Sequence, residues 1–174
     1  MLLYRIAKQK YLEDLRGLGG SYANGARWNK PHTPVLYFAM SAAVAQLEMA
    51  NYTSSPRLLP PSTRLGVYEI PDDTQVDRLN GNDLPDDWTH HPFPESTQEI
   101  GEQWFKSSEA FGLIVPSCAV TAGLGEIMVI NPAHNAIADI KLIDAIADIY
   151  DSRAFVGGRL RSLTEHQVKY HWAD

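Results

Sequence analysis

Cysteine is all but missing: Cys118 is the only one in 174 residues, which excludes an internal disulfide and a thiolate-built metal cluster. Histidine supplies no metal site in its place. His90 and His91 stand before a proline, and His166 and His171 are five apart, off the i, i+4 spacing that turns two imidazoles toward one zinc. No metal is expected. No uncharged apolar run approaches the ~20 residues of a membrane helix, and the opening MLLYRIAKQKYLEDL lacks the apolar stretch of a secretory signal. The expectation is a soluble, cytoplasmic protein without membrane contact, with Cys118 a small buried hydrophobe inside GLIVPSCAV. Ser117 has no G-x-S-x-G elbow around it, so a serine triad is not expected. Gly123-Leu-Gly125 lacks the third glycine and the following helix of a dinucleotide fingerprint.

What is present suits one domain: 44% of residues are hydrophobic and only 21% charged, enough for a sizeable core and no sign of general disorder. The net charge of -6 is unevenly spread. Residues 1–65 hold eight Lys or Arg against three acids, whereas residues 66–110 hold eleven acids against two bases. An anionic small ligand therefore favours the first third. A nucleic-acid strand needs a broad basic surface, which the sequence pI of about 5.4 argues against.

Periodicity and punctuation predict strands at 2–7, 35–39 and 64–70, then near 113–116, 126–130 and 139–142, with a further candidate at 146–150. Ser41 reads as the N-cap of an Ala-rich helix from 42 to about 51, and a second amphipathic helix is expected over 97–110. Residues 71–94 are rich in Asp, Asn and Pro and read as a surface excursion without regular structure. Strands outnumber helices without regular alternation, which points to an α+β domain with a mainly antiparallel β core, in one sheet or two, and flanking helices. The mildly basic end, residues 156–174, reads as a C-terminal extension: a helix, a tail, or a partner-binding arm.

Several side chains stand out. Arg27 lies beside a glycine-rich loop, where a guanidinium can make a two-pronged contact with phosphate or carboxylate, or else lie on the surface or stack on Trp28. Glu48 is the only charge on the 42–51 helix. It is surrounded by Ala43, Val44, Leu47, Met49 and Ala50 and has no lysine or arginine four residues away. A carboxylate so placed is either an exposed stripe one residue wide or a group compensated from elsewhere, as working-site carboxylates are. Tyr37 suits a core aromatic with its hydroxyl at the edge, and Ser117, after Pro116, suits either a ligand contact or a turn.

Taken in order, Tyr4-Arg5-Ile6, Gly25-Ala-Arg27-Trp28-Asn29, Val35-Leu-Tyr37-Phe-Ala, Ala45-Gln-Leu-Glu48, Val115-Pro-Ser117 and Asn131-Pro-x-His134 resemble the RES domain. The likeness spans residues 1–155, and the stretch from Arg-Trp-Asn to Leu-Glu is its most specific part. One departure is visible: where the family often has a glycine-threonine turn, this chain has His32-Thr33. The resemblance implies the toxin of a type II toxin-antitoxin pair, a fold related to ADP-ribosyltransferases, and an Xre-type helix-turn-helix antitoxin as partner. It implies NAD as the substrate consumed, by hydrolysis or by transfer of ADP-ribose to a protein acceptor. Carried over residue by residue, it implies Glu48 and Arg27 as catalytic residues, Arg27, Tyr37 and Ser117 as NAD-binding, and Arg5 and Asn131 as further contacts. The competing class is a nucleic-acid-directed toxin or a non-catalytic interaction module, in which the same residues are structural. Oligomeric state is open.

Overall fold

Seven strands join into one hydrogen-bonded sheet in the computed structural model, which describes residues 1–53, 55 and 58–151. In chain order they are β1 (Leu2–Lys8), β2 (Leu36–Ala39), β3 (Thr63–Glu69), β4 (Val76–Arg78), β5 (Gly112–Pro116), β6 (Glu126–Ile130) and β7 (Lys141–Ile146). Across the sheet they run β4-β5-β6-β2-β1-β3-β7. Every neighbouring pair is antiparallel except β4 with β5. Among the described residues three α-helices accompany them: the five-residue α1 (Gly20–Asn24), α2 (Ala42–Ala50) and α3 (Glu95–Ser107). This is the α+β, mainly antiparallel architecture that the sequence predicts, built as one sheet. No helix among the described residues is long and apolar enough to cross a membrane. Residues 156–174 lie outside the described residues.

Two local expectations are corrected. The acidic stretch 71–94 is not wholly irregular, because Val76–Arg78 forms the parallel edge strand β4 on Gly112–Ile114 of β5. The Leu79 N–H donates to the Ile114 carbonyl at 2.9 Å and extends that pairing. Three residues are too few for alternation to show against an Asp- and Pro-rich background. At the other edge, the strand expected near 139–142 starts later and runs Lys141–Ile146 on β3, with the ladder shifted between Val67 and Tyr68, and the further candidate at 146–150 forms no strand beyond Ile146. Ser41 caps α2 as expected, its hydroxyl accepting from the Val44 N–H at 3.2 Å.

Alternation along the strands divides the core between the two faces of the sheet. Leu3, Leu36, Phe38, Tyr68, Ile114, Met128 and Ile130 pack on one face with Leu12, Ile70, Phe111 and Ile140. On the other, Trp28, Val35, Leu113, Val115 and Val129 meet Ile100, Trp104 and Phe105 of α3. Beside them Ala39 and Leu65 lie under Val44 and Ala45 of α2. Burial on both faces explains why β5 and β6 read as continuous apolar runs. Tyr37, Ser117 and Ile127 follow the parity of the α2–α3 face, so the chemistry-bearing residues emerge under α2.

Candidate functional site

A cavity of about 590 Å³ opens on this face, bordered by β1, β2, α2, the segment after α1, the segment before α3 and the end of β5. That volume falls within the usual range for small-molecule and cofactor sites. Arg27, Tyr37, Glu48, Tyr52, Phe93 and Cys118 are among its lining residues.

Glu48 is partly buried, and its compensation comes from the far side of the sequence. Ser117 Oγ donates to Glu48 Oε1 at 2.7 Å. Ser117 is 0% exposed, and its oxygen accepts from the Ala119 N–H at 3.1 Å, so the single hydroxyl proton is directed at the carboxylate. The Ser117 N–H donates to the Gly125 carbonyl at 2.8 Å, tying the turn to the start of β6. Ser117 thus stands behind Glu48, fixing one carboxylate oxygen with a charge-assisted bond.

Arg27 lies within a tight segment that α3 holds in place. A Cβ on Gly101 would lie 1.8 Å from the Trp28 carbonyl oxygen, so only glycine lets the helix approach this closely. Gln98 Nε2 donates to the Ala26 carbonyl at 3.0 Å, and Glu102 Oε1 accepts from the Lys30 N–H at 3.2 Å and from Thr33 Oγ1 at 2.5 Å. From that base the Arg27 guanidinium reaches the segment before α3: Nη1 donates to the Trp88 carbonyl, and to the His90 carbonyl at 3.1 Å. Its carbon lies 5.3 Å from the centroid of the Phe93 ring.

Tyr37 joins the two halves of the site. Its hydroxyl donates to Asn29 Oδ1 at 2.8 Å and accepts from the Trp28 N–H at 3.2 Å. Asn29 is itself 0% exposed, and its Nδ2 donates to the Ser21 and Lys30 carbonyls at 2.8 and 3.0 Å. With the hydroxyl so engaged, the ring is what Tyr37 offers the cavity. Burial pushes its pKa well above the usual tyrosine range, against the Trp28 N–H and the Arg27 charge, and the Glu48 charge adds to the rise. Tyr52, though largely exposed, is also shifted upward, by partial desolvation at the cavity rim first and then by Glu48, while Arg27 opposes. One cation and one anion therefore act on the same pair of phenols.

Other expectations fare differently. Arg5 borders the cavity through β1, but its guanidinium lies over Phe38 and Tyr68 at 5.4 and 6.0 Å, in the core of the other face. There it donates to the carbonyls of Tyr11, Leu12 and Asp14, clamping the turn after β1. Asn131 does not line the cavity; its Oδ1 accepts from the Ala133 N–H at 3.0 Å and shapes the turn after β6. Cys118 is exposed at the cavity rather than buried, because the chain turns out of the apolar run after Ser117. Burial of its sulfur still raises the thiol pKa, with the Arg27 charge acting the other way. Among the described bases of the first third, Arg16 pairs with Asp14, Lys30 with Glu95 and Glu99, and Arg64 with nearby carbonyls, whereas Arg27 brings its guanidinium to the cavity. His32 takes φ +70°, the left-handed conformation that favours glycine, and its N–H donates to the Tyr22 carbonyl at 2.7 Å. The replaced turn keeps a glycine-like backbone. Sequence reasoning missed Asn29, Gly101, His91 and Phe93; the one available signal was the cluster of Trp88, His90, His91 and Phe93 inside an otherwise acidic stretch. Among the described residues, no group of three or more His, Cys, Asp or Glu is arranged to hold a metal ion.

Comparison with known proteins covers most of the chain. The family model of the RES domain matches residues 2–152. A protein named Toxin Res from Photorhabdus laumondii is 34% identical over 149 residues, 83% of this chain and 92% of that protein. A Prs ADP-ribosylating toxin from a Sphingobium species is 32% identical over 143 residues, 81% of this chain and 86% of that protein. Among solved structures, a chain of the M. tuberculosis MbcT-MbcA toxin-antitoxin complex superposes with a TM-score of 0.64 at 20% identity, covering 83% of this chain and 82% of that one. The last likeness is one of fold.

Proposed function

The chain belongs to the RES-domain family, and from that membership we propose that it is the toxin of a toxin-antitoxin pair that consumes NAD in the cytoplasm by breaking the nicotinamide-ribose bond. One observation carries this reading: Glu48, fixed by Ser117, and Arg27, held by α3 and Phe93, line a single cavity large enough for a cofactor-sized ligand.

The chemistry suits a site with one carboxylate. Nicotinamide departs with the bonding electron pair as a neutral molecule, so no general acid is required, and positive charge develops on the ribose as in glycoside cleavage. Glu48 stabilises that oxocarbenium-like centre, with Oε1 taken by Ser117 and Oε2 directed to the sugar. A fixed negative charge at the edge of a low-dielectric pocket acts most strongly on the transition state. The oxygen of water, or of a protein side chain, then bonds to the ribose carbon and releases its proton. Arg27 holds the pyrophosphate, matching its anionic oxygens with a guanidinium fork. Tyr37, with its hydroxyl locked to Asn29, presents its ring to the nicotinamide. The partner that restrains the toxin is an antitoxin of the Xre helix-turn-helix type.

The test is NAD concentration over time with the purified full chain, comparing wild type with Glu48→Gln and following nicotinamide and ADP-ribose. Loss of NAD with equal amounts of both products is the hydrolytic outcome, and nicotinamide without ADP-ribose, in cell extract, is the transfer outcome. Undiminished turnover by Glu48→Gln would overturn the role given to Glu48. No nicotinamide from wild type, alone or with extract, would overturn the activity.

A further inference from the structure

The segment between β4 and α3 is more than a surface excursion. His91 and Phe93 border the cavity, their rings meeting edge to face at 5.4 Å and 89°. The segment is anchored at two points. Asp87 Oδ1 accepts from Ser96 Oγ at 2.6 Å, and the Trp88 ring lies where a Cβ on Gly123 would meet it at 3.2 Å. The backbone carbonyls of Trp88 and His90 take the Nη1 corner of Arg27, and the Phe93 ring lies 5.3 Å from the guanidinium carbon.

An arginine side chain rotates about four bonds, so a ligand that must order it loses affinity to side-chain entropy. Carbonyls alone grip one corner and leave the plane of the fork free to swing about it. A ring at cation-π distance fixes that plane as well. We infer that Phe93 is a positioning residue for Arg27, a dedicated stacking platform that preorganises the guanidinium for the anionic part of the ligand, with His91 bracing the platform. The inference rests on the proposal above that Arg27 grips NAD.

Phe93 is only partly buried, so its replacement leaves the fold intact. The experiment compares Phe93→Leu, Phe93→Trp and Arg27→Ala in the full chain, reading KM and kcat for NAD loss and, in a Glu48→Gln background, NAD binding at equilibrium. Leucine keeps the apolar bulk without the π face, so Phe93→Leu should raise KM roughly fivefold and weaken equilibrium binding by about the same factor. Its kcat should stay within about twofold of wild type and its melting temperature unchanged, whereas Phe93→Trp restores KM. A purely structural role would move the melting temperature instead. A wild-type KM in Phe93→Leu, or a Phe93→Trp as impaired as Phe93→Leu, overturns the stacking role. If Arg27→Ala loses NAD binding while Phe93→Leu does not, the inference fails alone. If Arg27→Ala binds NAD as wild type does, the reading of Arg27 fails and this inference falls with it.

Discussion

Ser117 Oγ and Glu48 Oε1 are 2.7 Å apart although 69 positions separate them in the chain. Because the serine is fully buried and its one hydroxyl proton goes to the carboxylate, the pair works as one unit: the carboxylate bears the charge and the hydroxyl sets where that charge sits. Ser117→Ala should therefore act on kcat. Loss of a hydrogen bond to a charged group is worth about 1.5–3 kcal/mol in full, of which the misplaced carboxylate forfeits a part, so a fall on the order of tenfold is expected. Steady-state kinetics with NAD check this, and a change confined to KM would place the hydroxyl on the substrate instead.

Tyr37→Phe removes one oxygen and leaves the ring. The Asn29 carbonyl oxygen and the Trp28 N–H each lose their partner, in a region where Asn29 and Trp28 are both 0% exposed. The expected cost is about 1–3 kcal/mol, read as a lowered urea midpoint at unchanged slope, with NAD stacking retained. A midpoint equal to wild type would mean that the latch contributes nothing.

His32 invites a comparison of two substitutions that both lack its ring. At φ +70° a Cβ is strained and glycine is not. His32→Gly should therefore be more stable than His32→Ala by about 1 kcal/mol, measured by thermal or urea unfolding. The reverse order would show that this turn relaxes to another conformation.

Cys118 reports on occupancy of the cavity. Its thiol pKa is held above the ordinary value, chiefly by burial, so the reactive thiolate is scarce at neutral pH and grows as pH rises toward the thiol pKa. Alkylation by iodoacetamide should be slow at pH 7, faster at pH 9, and suppressed by saturating NAD in the Glu48→Gln variant. Equal labelling with and without NAD would put the ligand elsewhere.

Much of the fold is legible because both faces of β5 and β6 are buried and α2 starts at an unambiguous cap; these features are local. Glu48 too is conspicuous locally, as a lone charge on an apolar helix. Its partner is not, because nothing near Ser117 indicates which of many distant groups its hydroxyl meets. Arg5 and Arg27 are both arginines within the motifs of the first third, yet the turn after β1 takes one guanidinium and the cavity receives the other. That choice is made by the path of the chain. Asn29 illustrates the same limit: the motif Arg-Trp-Asn draws attention to its arginine, while the asparagine holds the motif together through Ser21, Lys30 and Tyr37.

The strand order carries a consequence for synthesis. β2, which bears Tyr37, pairs with β1 on one side and with β6 on the other, and β6 is made some ninety residues later. Arg27, Tyr37 and Glu48 leave the ribosome before Phe93, Ser117 and the strand that closes the sheet beside Tyr37. Non-local pairings of this kind form late. A nascent chain that ends before Ser117 thus lacks the hydroxyl that fixes the Glu48 carboxylate.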